Sequence, residues 1–132
     1  MAERARILLV DDEPSIIKMV SKRLGVEGYE VLVAMDGQEG LDKAQAERPD
    51  LVILDLMLPR LNGYEVCARL KEDPAWRKVP VLLFSAKVQP KDEALGKQCG
   101  ADGYLRKPFQ GQELMDRVRA LLAATPTGEV NG

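Results

Sequence analysis

The chain alternates short apolar runs with longer segments in which apolar residues recur every three or four positions. The short runs are ILLV (7–10), VLVAM (31–35), LVIL (51–54), VLLF (81–84) and GYL (103–105). ILLV, LVIL and VLLF are continuously apolar, as expected of parallel strands covered on both faces. The longer segments read as helices. Ile16, Ile17, Val20 and Leu24 form one apolar stripe, and Leu114, Val118, Leu121 and Leu122 another. Pro14 suits the first turn of the first helix, and Gly28 in EGYE closes it. Further helices are predicted near 37–47, 63–72 and 90–99. The one near 90–99 contains Gly96 and has only Ala94, Leu95 and Cys99 as apolar anchors, so it should be held least firmly. A repeated β-α order predicts an α/β fold: a parallel sheet with helices on both faces. After Leu122 the chain reads AATPTGEVNG, without periodicity. The expected organisation is one domain over 1–123 and a flexible tail or truncated linker over 124–132.

In such sheets, ligands bind beyond the carboxyl ends of the strands. The residues standing there are therefore informative. The first run is followed by Asp11, Asp12 and Glu13, the third by Asp55, the fourth by Ser85 and the fifth by Arg106, Lys107 and Pro108. The second leads into DGQEG, where Asp36 is the expected N-cap. Each residue alone has an ordinary structural reading. Asp12 or Glu13 would cap the first helix, Asp55 would end a strand, Ser85 would sit in a turn and Lys107 would be solvated. Their coincidence at four strand ends points instead to one shared task.

Composition narrows that task. The chain of 132 residues has a net charge of −2 and a pI near 5.3, with no basic block, so nucleic-acid binding through this domain is not expected. No apolar run is long enough for a bilayer or for a signal-peptide core, and a cytoplasmic protein is expected. Cys67 and Cys99 lie too far apart for metal-ligand spacing and read as reduced thiols. There is no histidine, so chemistry must run on carboxylates, hydroxyls and amines.

Those groups suit a phosphoryl group handled around a hard divalent cation. Mg²⁺ prefers oxygen ligands and is usually held by one or two carboxylates plus a phosphate. Asp11, Asp12 and Asp55 carry −3 when ionised; Mg²⁺ and Lys107 supply +3. Asp55, the one polar residue within LVILDLML (51–58), is then a carboxylate nucleophile at the rim of an apolar pocket. A phosphohistidine donor would have to arrive on a partner.

The pieces ILLVDDE, PDLVILDLMLPRLNGYEV, VPVLLFSA and ADGYLRKPF together resemble the receiver domain of two-component response regulators, over residues 5 to 123. The resemblance implies a five-stranded parallel sheet of order 2-1-3-4-5. It implies that Asp55 is the phospho-acceptor, fed by a histidine kinase or histidine phosphotransfer protein. Asp11 and Asp12 match the acidic pair that holds Mg²⁺, and Met57 the position whose backbone carbonyl joins them. Ser85 matches the hydroxyl residue that bonds the phosphoryl oxygen, where threonine is equally familiar. Lys107 matches the lysine that pairs with that oxygen, and Tyr104 the aromatic switch residue. The Lys107–Pro108 bond matches one usually cis in the family. Pro59 and Gly63 match the turn into the third helix. Lys87, two residues beyond Ser85, is a long cation near the pocket mouth, expected to alter how water reaches the acyl phosphate.

A switch is expected to follow. Phosphorylation adds charge and acceptor oxygens at Asp55; Ser85 swings in, and Tyr104 turns its ring into the space while its hydroxyl stays at the surface. The moving face is the helix near 90–99, the strand at 103–105 and the final helix. The chain is expected to be a non-enzymatic phospho-acceptor that promotes its own phosphoryl transfer and dephosphorylation. It is expected to be a monomer or weak homodimer, and to act on a downstream protein or a covalently linked output domain. An FMN-binding flavodoxin-like protein would need a Ser/Thr/Gly-rich phosphate loop where DDEPS stands. An aspartate-nucleophile phosphatase would place its nucleophile after the first strand. A pseudo-receiver that binds partners without phosphate is the alternative that keeps the fold.

Overall fold

A computed structural model describes residues 4–58, 62–85, 100–106 and 110–124. Its elements run β1 (Arg6–Val10), α1 (Pro14–Val26), β2 (Glu30–Ala34), α2 (Gly37–Glu47), β3 (Leu51–Asp55), α3 (Gly63–Glu72), β4 (Val81–Ser85), β5 (Gly103–Arg106) and α4 (Gly111–Ala124). The helix expected near 90–99 and the tail beyond Ala124 lie outside the described residues. The five strands form one parallel sheet of order β2-β1-β3-β4-β5.

Alternate side chains along the strands enter two separate cores, which is why the central runs had to be apolar throughout. Leu8, Val10, Val52, Leu54, Val81 and Leu83 pack with Leu41 and Ala44 of α2 and Val66, Cys67 and Leu70 of α3. Ile7, Leu9, Leu51, Ile53, Leu82 and Phe84 pack with Val20 and Leu24 of α1 and Leu114, Met115 and Val118 of α4. Cys67 is buried. No described helix is long and apolar enough to cross a membrane.

The second strand is displaced by one residue from the expected 31–35. Met35 leaves the ladder because its N–H donates to Glu39 Oε1 at 2.8 Å, while Glu30 N–H joins the sheet margin through Ala5 O at 3.0 Å. Asp36 caps α2 as expected, accepting from Glu39 N–H at 2.7 Å. Both outer strands have a backbone carbonyl engaged by their covering helix. Lys43 Nζ donates to Val33 O of β2, and Arg117 Nη1 donates to Tyr104 O of β5 at 2.8 Å.

Ion pairs hold the amino ends of the strands. Arg6 Nη2 meets Glu47 Oε1 at 2.8 Å, its Nε lies 3.7 Å from Glu30 Oε2, and its N–H donates to Asp50 Oδ2 at 2.8 Å. The hydrogen bond to Glu47, with the charges of Glu30, Glu47 and Asp50, pushes the Arg6 guanidinium pKa above its ordinary value. Lys71 Nζ donates to Asp102 Oδ2 at 2.7 Å, Val79 O at 2.8 Å and Arg77 O at 3.1 Å. Asp102 Oδ2 also accepts from Val81 N–H at 2.8 Å, which ties the start of β4 to the start of β5.

Candidate metal and phosphoryl-acceptor site

The sheet register brings the predicted acids together. Val10 of β1 pairs with Leu54 of β3, so Asp11 and Asp55 each stand one step beyond a paired position on neighbouring strands. Asp55 itself pairs with Phe84, and Ser85 follows on β4, opposite Arg106 of β5. One carboxylate oxygen from each of Asp11, Asp12 and Asp55 lies within 4.8 Å of the others. Asp11 is fully buried, Asp55 is 5% exposed and Asp12 is exposed.

Buried carboxylates need hydrogen bonds. Glu13 N–H donates to Asp11 Oδ1 at 2.8 Å, and Met57 N–H donates to Asp55 Oδ1 at 3.1 Å. Both are turns in which an aspartate binds the backbone two residues on, so each fixes the carboxylate against its own loop. Helix capping does not explain the acids after β1. The N-cap of α1 is Glu13, and its side chain makes no capping bond.

The donor set fits magnesium. Ligand oxygens lie about 2.0–2.1 Å from that ion, so oxygens on opposite sides of it stand about 4 Å apart. Three oxygens gathered within 4.8 Å are compatible with one shared ion, and all are hard anionic ligands. Met57, whose N–H closes the acceptor turn, is 63% exposed.

Leu56, just after Asp55, is held from two sides. Leu56 N–H donates to Phe84 O at 3.2 Å, and Leu56 O accepts from Gly63 N–H at 3.2 Å. The start of α3 is itself fixed by a capping box. Asn62 Oδ1 accepts from Glu65 N–H at 3.0 Å, and Glu65 Oε1 accepts from Asn62 N–H at 3.4 Å. The N-x-x-E spacing of residues 62–65 was the available signal.

Tyr104 of β5 is half-buried and pairs with Leu83. Its ring packs against the core that includes α2 and α3, and its hydroxyl oxygen is buried. Lys107, Pro108, Pro59, Lys87 and Cys99 lie outside the described residues, as does the side chain of Ser85.

The family model for the response regulator receiver domain matches residues 7–119. The chain is 43% identical over 129 residues to the alkaline phosphatase synthesis transcriptional regulatory protein PhoP of Bacillus subtilis, covering 95% of this chain and 53% of that one. The chain thus spans about half the length of the relatives it matches. Among solved structures it is similar to the Vibrio cholerae chemotaxis protein CheY4, at 36% identity and a TM-score of 0.86, covering 90% of this chain and 99% of that one. It is also similar to the receiver domain of a sensor histidine kinase from Pseudomonas aeruginosa, described with a magnesium ion coordinated in the active site cleft. That match has 29% identity and a TM-score of 0.86, covering 92% of this chain and 100% of that one. With the parallel sheet, its strand order and the acids at its carboxyl end, these likenesses make the chain a member of the response regulator receiver domain family.

Proposed function

We propose that this chain is a phosphorylation-dependent signalling switch in which Asp55 accepts a phosphoryl group from a phosphohistidine on a histidine kinase or histidine phosphotransfer protein. The observation that carries the reading is the gathering of Asp11, Asp12 and Asp55 within 4.8 Å, with Asp55 at the end of a central strand. Asp11, Asp12, Asp55 and the Met57 carbonyl would hold Mg²⁺. When bound, magnesium neutralises the carboxylates and offsets the charge on the phosphoryl oxygens.

In the transfer, the donor's phosphorus–nitrogen bond breaks as a bond forms between phosphorus and an Asp55 carboxylate oxygen. The donor imidazole leaves with the bonding pair and takes up a proton. Water later attacks phosphorus, which returns the carboxylate and releases inorganic phosphate. The chain's own contribution is positioning. Met57 N–H restrains the Asp55 carboxylate, while Ser85 and Lys107, by family resemblance, bond the arriving oxygens. It is therefore a phospho-acceptor that promotes its own loading and unloading, not a separate enzyme.

Two charge-assisted hydrogen bonds contribute about 1.5–3 kcal/mol each. Inverting a 1:99 equilibrium needs about 5.5 kcal/mol. The switch is accordingly graded, and a downstream protein or a linked output domain completes it. The responding face is β5 with Tyr104, α4 and the predicted helix near 90–99. Because PhoP is a transcriptional regulatory protein and about twice as long, a linked output domain is the arrangement its likeness supports.

Incubation with acetyl phosphate and Mg²⁺ followed by intact mass measurement tests the reading. A gain of about 80 Da is expected, lost in Asp55→Asn and lost when the metal is chelated. No gain in the parent chain would end the proposal.

A further inference from the structure

We infer that Gly63 is a positioning residue for the acceptor, acting together with the Asn62–Glu65 capping box. This rests on the function proposed above and deepens it. A Cβ at Gly63 would stand 2.6 Å from Asp55 O, 2.8 Å from Leu56 Cα and 3.1 Å from Asp55 C. All three are backbone atoms of the segment that carries the acceptor out of β3, so no flexible side chain can yield. The contrast with Gly103 is informative. There the nearest atom to a Cβ is Leu82 Cδ1 at 3.1 Å, the end of a movable side chain. Gly63 thus lets the first turn of α3 press directly on the peptide after Asp55.

The contact is also directed. Gly63 N–H donates to Leu56 O while Leu56 N–H donates to Phe84 O, so one residue, Leu56, is clamped between α3 and β4 through its two flanking peptides. Asn62 and Glu65 hold each other's backbone amides and keep the helix start in place. The residues flanking Leu56 carry the Asp55 carboxylate and the Met57 N–H that donates to it at 3.1 Å. A Cβ would drive the two segments apart by roughly 0.5 Å or more, the tolerance within which functional constellations must be held. The helix start therefore sets where the acceptor carboxylate lies relative to Asp11 and Asp12.

The test compares Gly63→Ala, Asn62→Ala and Asn62→Asp with Val118→Ala, a destabilising control in the opposite core. Magnesium affinity is measured by calorimetric titration, stability by thermal melting, and loop geometry by the amide resonances of Leu56 and Met57 in metal-free protein. Gly63→Ala is expected to weaken magnesium binding by about tenfold or more, as loss of support behind a metal ligand does. Val118→Ala should lower the melting temperature yet leave the affinity within about twofold, as expected of a distant site. Asn62→Ala should weaken binding less than Gly63→Ala, and Asn62→Asp, which keeps the cap, should restore it. A folded Gly63→Ala protein with parental affinity and unmoved Leu56 and Met57 amides overturns the inference. If Gly63→Ala does not fold, Asn62→Ala decides, and unchanged affinity and amides there overturn it equally. If the parent binds no magnesium, the proposed function fails separately. Positioning is then judged on the amides alone, and shifts no larger than those in Val118→Ala overturn it.

Discussion

The two ends of the sheet treat charge in opposite ways. At the amino ends, acids meet cations: Glu47, Glu30 and Asp50 gather round Arg6, and Asp102 meets Lys71. At the carboxyl ends, Asp11, Asp12 and Asp55 meet one another. The first arrangement stitches strand starts together across long sequence separations. The second concentrates acidic oxygens, whose mutual repulsion a divalent cation would offset. One end of the same sheet is therefore built for cohesion, and the other gathers hard oxygen donors.

Breaking the cohesive end should have the largest effect on stability. Lys71→Met removes three hydrogen bonds from a side chain only 14% exposed and leaves Asp102 without its cation. A loss of about 2 kcal/mol is expected, discounted from a fully buried pair because Asp102 reaches water. Urea unfolding measures it, and magnesium affinity should not change. The acidic end should respond in the opposite sense. Magnesium at ten times its dissociation constant should stabilise the parent by about 1.4 kcal/mol. Asp12→Asn should gain about 1 kcal/mol in metal-free protein by relieving repulsion at an exposed position, while losing most of the magnesium effect. Thermal melts with and without the metal read both signs; a metal-free Asp12→Asn protein less stable than the parent contradicts the contrast. The smallest effect belongs to Arg6→Gln, on the exposed side of the cohesive end. Its loss should be slight and should shrink as salt is raised, because partly solvated pairs are screened.

The sequence already disclosed most of this layout, for physical reasons. LVIL and VLLF are apolar at every position because each strand faces two cores, and that pattern has few other causes. Asp11, Asp12 and Asp55 were legible because acids at strand ends fall together once the strands run parallel. Helix boundaries at 37–47 and 63–72 followed from Asp36 and from the apolar spacing. The Lys71–Asp102 and Arg6–Glu47 pairs were not legible: their partners lie 31 and 41 residues apart, and nothing local marks either. The boundary of β2 slipped by one because Glu39 captured the Met35 amide, a side-chain choice that apolar patterning does not register. Tyr104 falls on the strand its place in GYL predicted. Gly63 was legible as a turn residue by resemblance, but its close approach to the Asp55 and Leu56 backbone depends on how α3 packs, which spacing does not specify.

The cations Lys43 and Arg117 bear on a hazard common to open sheets. A foreign chain seeking to extend this sheet at either margin would find a carbonyl already occupied and a positive side chain laid across its path. Templated growth into fibrils is thereby discouraged at both sides, so recognition of this domain by other molecules falls to its helices and loops.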